Sequence, residues 1–195
     1  MTNEEKILKI VKEKGYITGD IVTEMGIDTW YLTSLVKKRK IQRISRGVYI
    51  NSGGIYDEYF VFQYLHTKAI YSYSTALFLH ELTDKIPFKL EVTVYQGYNT
   101  HRFPDNVIVH YVKKEIYELG TSKNISPYGN PIRIYDKERT LCDLVVSKKV
   151  VESEVFKKAF QEYFRQSYKN VNKLMKYAKE MNIETEMFTL IEVLS

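Results

Sequence analysis

Residues 21–50 read IVTEMGIDTWYLTSLVKKRKIQRISRGVYI, and this stretch decides the fold of the N-terminal part of the chain. Apolar side chains at Ile21, Val22, Met25, Ile27, Leu32 and Leu35 follow the spacing of two short helices packed against each other. Gly26 stands where a tight turn between those helices needs a positive φ, which glycine adopts without a Cβ clash. Asp28 is placed as N-cap of the second helix, its carboxylate able to accept from free N–H groups of the first turn. That helix runs into Lys37-Lys38-Arg39-Lys40. The following IQRISRGVYI reads as two β-branched and aromatic strands joined at Ser45-Arg46-Gly47. Helix, turn, helix and basic hairpin in that order predict a winged helix-turn-helix, and with it a DNA-binding head.

Charge points the same way. No acidic residue occurs from Thr29 to Tyr49, whereas Lys37, Lys38, Arg39, Lys40, Arg43 and Arg46 are all basic. Residues 1–50 hold ten Lys and Arg against six Asp and Glu, and the remainder 19 against 18, so most of the net +5 lies in the first quarter. Such a concentration suits a phosphate backbone, because each neutralised phosphate releases counterions and adds sequence-independent affinity. A basic helix end is also favoured by the helix dipole alone. The glycine turn and the hairpin are what tip the reading toward DNA.

Upstream, Thr2 or Asn3 caps a first helix, with Glu5 three residues after Thr2 as in a capping box, and Gly15 ends it. Tyr16-Ile17 reads as a brief extended link, and Thr18 caps the next helix. The expected core of this three-helix unit is Ile7, Val11, Ile21, Met25, Ile27, Leu32, Leu35 and Ile44. Thr29, Trp30, Thr33, Ser34 and Lys37 are left on the outer face of the recognition helix, its N-terminal members placed to meet base edges. Lys38, Arg39, Arg43 and Arg46 are assigned to phosphates or, from the wing, to the minor groove, and Lys40 belongs to the same DNA-binding set. Trp30 is open between packing under the wing and touching DNA.

The polar, glycine-rich Asn51-Ser52-Gly53-Gly54 marks a linker, giving domains at residues 1–52 and 55–195. Past it, helices are expected from Tyr56 to Lys68 and after Ser72 or Ser74, a short strand at Ala69-Ile70-Tyr71, and strands at Leu90–Tyr95, Val107–Val112 and Ile132–Tyr135. Asp136 caps KERTLCDLVV, and helices follow over Ser153–Tyr168, Val171–Met181 and Thr185–Leu194. The fold class is therefore α+β: the winged head, then a mixed α/β domain with a helical tail.

The composition, 44% hydrophobic and 27% charged over 195 residues, is that of a globular protein. A single cysteine, Cys142, leaves no internal disulfide or cysteine-rich metal site, and it reads as a small buried hydrophobe. No signal peptide and no apolar run near the roughly 20 residues of a membrane span are present, so a cytoplasmic protein without a membrane partner is expected. No nucleotide-binding glycine loop, zinc-protease or serine-hydrolase motif occurs, and His66, His80, His101 and His110 lack ligand spacing. Asp136, Glu138 and Asp143 are able in principle to hold magnesium, but read better as a cap, a first-turn acid and an i,i+4 partner of Arg139. Glu91 with Lys89 only faintly resembles a nuclease strand, in reversed order. No catalytic residue and no cofactor are assigned, and the chain is not expected to be an enzyme.

The N-terminal GYITGDIVTEMGID and LVKKRKIQRISRGVYI, together with YSYSTALFLHELTDKIP, LEVTVYQGYN and IRIYDKERTLCDLVV, resemble AbiEi-type antitoxins of bacterial type IV toxin–antitoxin systems. The resemblance runs from about residue 2 to residue 147, and its second-domain segments are the more specific part. It implies two linked roles. One is binding inverted repeats in its own promoter as a transcriptional autorepressor. The other is countering a nucleotidyltransferase toxin through the C-terminal domain, without a stable complex, in abortive infection and phage defence. Two other classes stand beside it: a stand-alone winged-helix regulator with a ligand-sensing C-terminal domain, and a DNA-processing enzyme.

Overall fold

The computed structural model describes residues 1–147 and 151–194; Ser195, the end of the expected second domain, lies outside them. Among the described residues the fold is α+β, with ten helices and two sheets. The chain forms two compact units, Met1–Leu65 and His66–Ser195.

In the first unit, α1 (Asn3–Lys14) opens with the expected capping box. Thr2 Oγ1 accepts from the Glu5 N–H at 3.2 Å, and the Glu5 carboxylate accepts from the Thr2 N–H at 2.7 Å. Strand β1 (Tyr16–Thr18) leads into α2 (Gly19–Glu24), capped by Thr18 Oγ1. Gly26 takes the turn at φ +68°, and α3 (Trp30–Lys37) follows. Strands β2 (Ile41–Ser45) and β3 (Val48–Asn51) form the hairpin. The sheet order is β1-β3-β2, antiparallel throughout. Tyr16-Ile17, expected as a link, is thus a strand: Tyr16 pairs with Ile50 and Ile17 with Tyr49.

Ile7, Val11, Ile27, Leu32 and Leu35 are buried as expected, joined by Ile17, Val22 and Ile41. Three expected core residues are not. Val22 takes the buried place and leaves Ile21 half-buried. Met25 sits at the C-cap of α2, where the face turns to solvent, and is 37% exposed. Ile44 falls at a shift in strand register between Arg43 and Ser45 and is half-buried.

Helix α4 (Glu58–Leu65) belongs to this first unit rather than opening the second, and is shorter than expected. The Gly53-Gly54 segment is a turn: the Gly54 N–H reaches the Asn51 carbonyl at 2.9 Å, and Ser52 Oγ donates to the Arg39 carbonyl. The helix then packs back. The Phe60 ring lies 4.2 Å from that of Tyr16, and the Tyr64 hydroxyl donates to Asp20 at 2.7 Å.

The second unit holds a five-stranded sheet built from β4 (Ile70–Tyr71), β5 (Leu90–Tyr95), β6 (Val107–Val112), β7 (Thr121–Ile125) and β8 (Pro131–Tyr135), in the order β6-β5-β4-β8-β7. Pairs β5·β6 and β4·β8 are parallel, while β4·β5 and β7·β8 are antiparallel. Helix α5 (Tyr73–Leu79) follows β4, and the short α6 (Lys114–Tyr117) follows β6. Then come α7 (Lys137–Val146), α8 (Ser153–Arg165), α9 (Val171–Glu180) and α10 (Glu184–Leu194). Helix α8 buries Phe156, Ala159, Phe160 and Tyr163, one stripe of an amphipathic helix, against Leu141, Leu144, Leu174 and Met187.

Helix α7 is charged in sequence and buried in fact. Its N-cap is Asp136, whose Oδ1 accepts from the Arg139 N–H at 2.9 Å. Arg139 and Asp143 form the expected i,i+4 pair at 2.9 Å, but with side chains 0% and 1% exposed. Arg139 Nη1 also donates to the carbonyls of Ile116 and Leu119, and the guanidinium lies 4.1 Å from the Tyr135 ring centre. Burial pushes the Asp143 carboxyl up to about 6 against the pull of Arg139.

Replacing Arg139 with Leu strands a buried carboxyl and two carbonyls, so Arg139→Leu should cost about 3–5 kcal/mol of stability at neutral pH. Part of that loss should return near pH 5. A raised folded-state pKa favours the protonated form, so the Asp143 contribution is present at low pH and lost as pH rises through its folded pKa. Urea unfolding of both proteins at the two pH values checks this.

Candidate nucleic-acid interface

Local geometry determines which of the ten sequence-assigned residues face solvent together. At the N-terminus of α3, Asp28 Oδ1 accepts from the Trp30 N–H at 2.7 Å, so Asp28 caps the helix across Thr29. Thr29 is exposed and its hydroxyl makes no cap bond. Trp30 is 62% exposed, its ring meeting the Tyr31 ring edge-on at 5.3 Å. Of the two roles open to it, the packed one under the hairpin is not what is seen. Thr33, one turn on, is exposed, and Lys37 is exposed in the last turn. Leu32 and Leu35 point the other way into the core. One face of α3 is thus free along its length.

Two assigned residues are occupied. Glu4, on α1, accepts from Lys38 Nζ at 2.6 Å and, more weakly, from Ser34 Oγ at 3.4 Å. The hydrogen bond from Lys38 holds the Glu4 carboxyl below its ordinary range. Ser34 is half-buried as a result. Nothing local in the sequence shows that Glu4, 34 positions earlier, answers Lys38.

The remaining cations cluster at the end of α3 and on the hairpin. Arg39 and Lys40 close the helix: the Arg39 N–H reaches the Val36 carbonyl and the Lys40 N–H the Leu35 carbonyl, the pairing of a Schellman cap. That motif asks for a left-handed residue, and Arg39 supplies it at φ +54°, where a side chain costs about 1 kcal/mol relative to glycine. Ser52 Oγ on the Arg39 carbonyl helps hold the turn. Arg43 Nε donates to the Ser45 carbonyl at 3.2 Å, folding the side chain along the irregular part of β2. Arg46 sits in the hairpin turn, exposed. Lys37, Arg39, Lys40 and Arg46 make no side-chain ion pair among those seen in the described residues, so their charge is available to an anion.

The acidic group at the start of α7 behaves differently. Asp136 Oδ2 accepts from Lys173 Nζ at 2.9 Å and from the Tyr177 hydroxyl at 3.1 Å. Glu138 accepts from the Tyr163 hydroxyl at 2.8 Å and from Lys173 Nζ at 3.0 Å. Each carboxylate is answered by a cation or a hydroxyl, which supports their reading as caps and ion pairs. Among the described residues no three His, Cys, Asp or Glu side chains converge as a metal-ligand group. Cys142 is buried, and burial pushes its thiol up.

No protein-family model matches the chain, and no curated protein is significantly similar to it.

The strained cap gives a test that separates stability from charge. Arg39→Gly should raise unfolding stability by about 0.5–1 kcal/mol, and Arg39→Ala, which keeps a Cβ at positive φ, should not. Equal stabilities of the two variants in urea would mean the left-handed turn is not maintained in solution.

Proposed function

We propose that the first unit is a winged helix-turn-helix that binds double-stranded DNA, with α3 as recognition helix and the β2–β3 hairpin as wing. One observation carries this reading: an acid-free run from Thr29 to Tyr49 whose exposed cations lie at the end of α3 and on the adjacent hairpin. Thr29, Trp30 and Thr33 would meet base edges, since they stand exposed at the helix N-terminal half. Lys37, Arg39, Lys40 and Arg46 would hold phosphates. Lys38 contributes less, because Glu4 already neutralises it, and Ser34 supports the α1–α3 contact.

On the resemblance to AbiEi-type antitoxins, the protein is an autorepressor at inverted repeats and an antitoxin that counters a nucleotidyltransferase toxin in abortive infection. It acts without a catalytic site of its own and without a stable toxin complex, in the cytoplasm. The second unit would carry the antitoxin activity. A stand-alone regulator with a ligand-sensing second unit is the other reading, and a cavity in that unit favours it.

Lys37→Ala, Arg39→Ala and Arg46→Ala should each weaken operator binding and reduce the slope of log affinity against log salt by about one. Arg39→Gly should do the same while gaining stability. Unchanged binding in all of them, measured by fluorescence anisotropy at several salt concentrations, would remove this docking face. For the antitoxin role, the adjacent gene's product is co-expressed with the full chain or with residues 66–195, and growth is followed. Rescue by the shorter chain assigns the activity to the second unit; rescue by neither leaves the regulator reading.

A further inference from the structure

The second unit contains a cavity of about 410 Å³, within the range of small-molecule sites. Its walls are apolar, with Leu77 from α5, Ile108 from β6, Leu144 from α7 and Val155 from α8. Ile86 and Phe88 stand at its edge, 71% and 97% exposed.

One end is polar and organised around a single carboxylate. Glu91, on β5, accepts from Ser74 Oγ on Oε1 at 2.5 Å and from His110 Nε2 on Oε2 at 2.6 Å. The carboxylate accepts only, so the His110 Nε2 atom in this contact carries the hydrogen. Parallel pairing of β5 and β6 sets Thr93 opposite His110 and so brings the imidazole alongside Glu91. The Tyr73 ring stacks on His110 at 3.7 Å. Tyr73 achieves this from φ +48°, a conformation that costs a non-glycine residue and that recurs at ligand sites.

The arrangement is not that of a hydrolase, because the imidazole contacts the carboxylate and the serine contacts it too, with no bond between Ser74 and His110. It is an oriented anion. A carboxylate offers about four acceptor positions, of which Ser74 and His110 use one on each oxygen. The two lysines lining the cavity have other partners: Lys85 pairs at 2.5 Å with Glu152, the second carboxylate of the lining, and Lys89 Nζ donates to the Asp105 carbonyl at 3.0 Å. Neither is bonded to Glu91.

We propose that this cavity binds a small organic amine, a protonated nitrogen attached to an apolar body. The ammonium donates to the free acceptor positions of Glu91, and the body lies against Leu77, Ile108, Leu144 and Val155, under the Ile86–Phe88 edge. Polar fixation at one end with apolar contact over the rest is the general form of such sites. The assignment goes beyond DNA binding and does not depend on it.

The test is calorimetric titration of the full chain with 2-phenylethylamine, and separately with 3-phenylpropionate, which reverses the charge on a similar body. The amine should bind and the carboxylate should bind at least about tenfold more weakly. Glu91→Gln should weaken amine binding about tenfold or more, the worth of a charge-assisted hydrogen bond. Ile108→Trp should do likewise by filling the cavity at a position that is 42% exposed, lies opposite Glu91 across the β5–β6 pairing and takes no part in its side-chain hydrogen bonds. If Glu91→Gln does not fold, Ile108→Trp and the charge-reversed ligand carry the test. The proposal is overturned if the amine shows no saturation up to roughly 10 mM, if the carboxylate binds as well, or if a folded variant binds unchanged. Failure would leave the DNA-binding reading standing, since the titration contains no DNA.

Discussion

The buried guanidinium of Arg139 is the interaction on which the second unit depends. It lies inside α7, and from there it bonds Asp143 on its own helix and the carbonyls of Ile116 and Leu119 at the end of α6. Its flat face covers Tyr135, the last residue of β8. One side chain therefore ties a helix, a strand end and the loop entering β7. Taking a charge out of water is unfavourable by several kcal/mol, and it persists only where hydrogen bonds and an opposite charge offset it. The backbone is shaped to allow this approach. Gly120, at φ +75°, passes so close that a Cβ there would stand 2.4 Å from the Cβ of Arg139. No other residue type fits.

That core explains why some of the architecture is legible in the sequence and some is not. Caps are local. Thr2 with Glu5, Thr18 and Asp136 each bond an N–H three residues away, so a short window of sequence contains the whole interaction. The spacing of Arg139 and Asp143 is equally plain, but their burial is not, because it depends on carbonyls 20 and 23 residues upstream of Arg139. Strand β7, TSKNI, has no apolar alternation; it is a strand because it pairs with β8, from Thr121 with Tyr135 to Ile125 with Pro131. In the candidate interface, the cations could be read directly. Their availability could not, since Lys38 is answered by Glu4 across the unit. Likewise Ser74, Glu91 and His110 are unremarkable apart, and only the parallel register of β5 and β6 brings two of them together.

The glycines after β3 show how composition misleads. Asn51-Ser52-Gly53-Gly54 has the look of a linker, yet each of its polar groups that bonds backbone does so within the first unit, and the chain turns back as α4. Tyr16 and Phe60, and Asp20 and Tyr64, then join the ends of that unit. A helix rich in aromatic residues extends a small core that would otherwise bury little apolar surface. The β2–β3 hairpin is supported by this helix: the Tyr64 hydroxyl reaches to within 3.7 Å of where a side chain on Gly47 would begin.

The order of pairing in the second sheet has a consequence during synthesis. Tyr71 in β4 finds its parallel partner only when Ile134 in β8 has been made. At ordinary elongation rates those intervening residues take roughly 3–12 s to add. The first unit, by contrast, is closed by contacts within residues 1–65 and has every partner it needs before β5 exists. When β5 begins to be made, every helix and strand of the first unit has therefore already been added, whereas β4 still lacks its parallel partner.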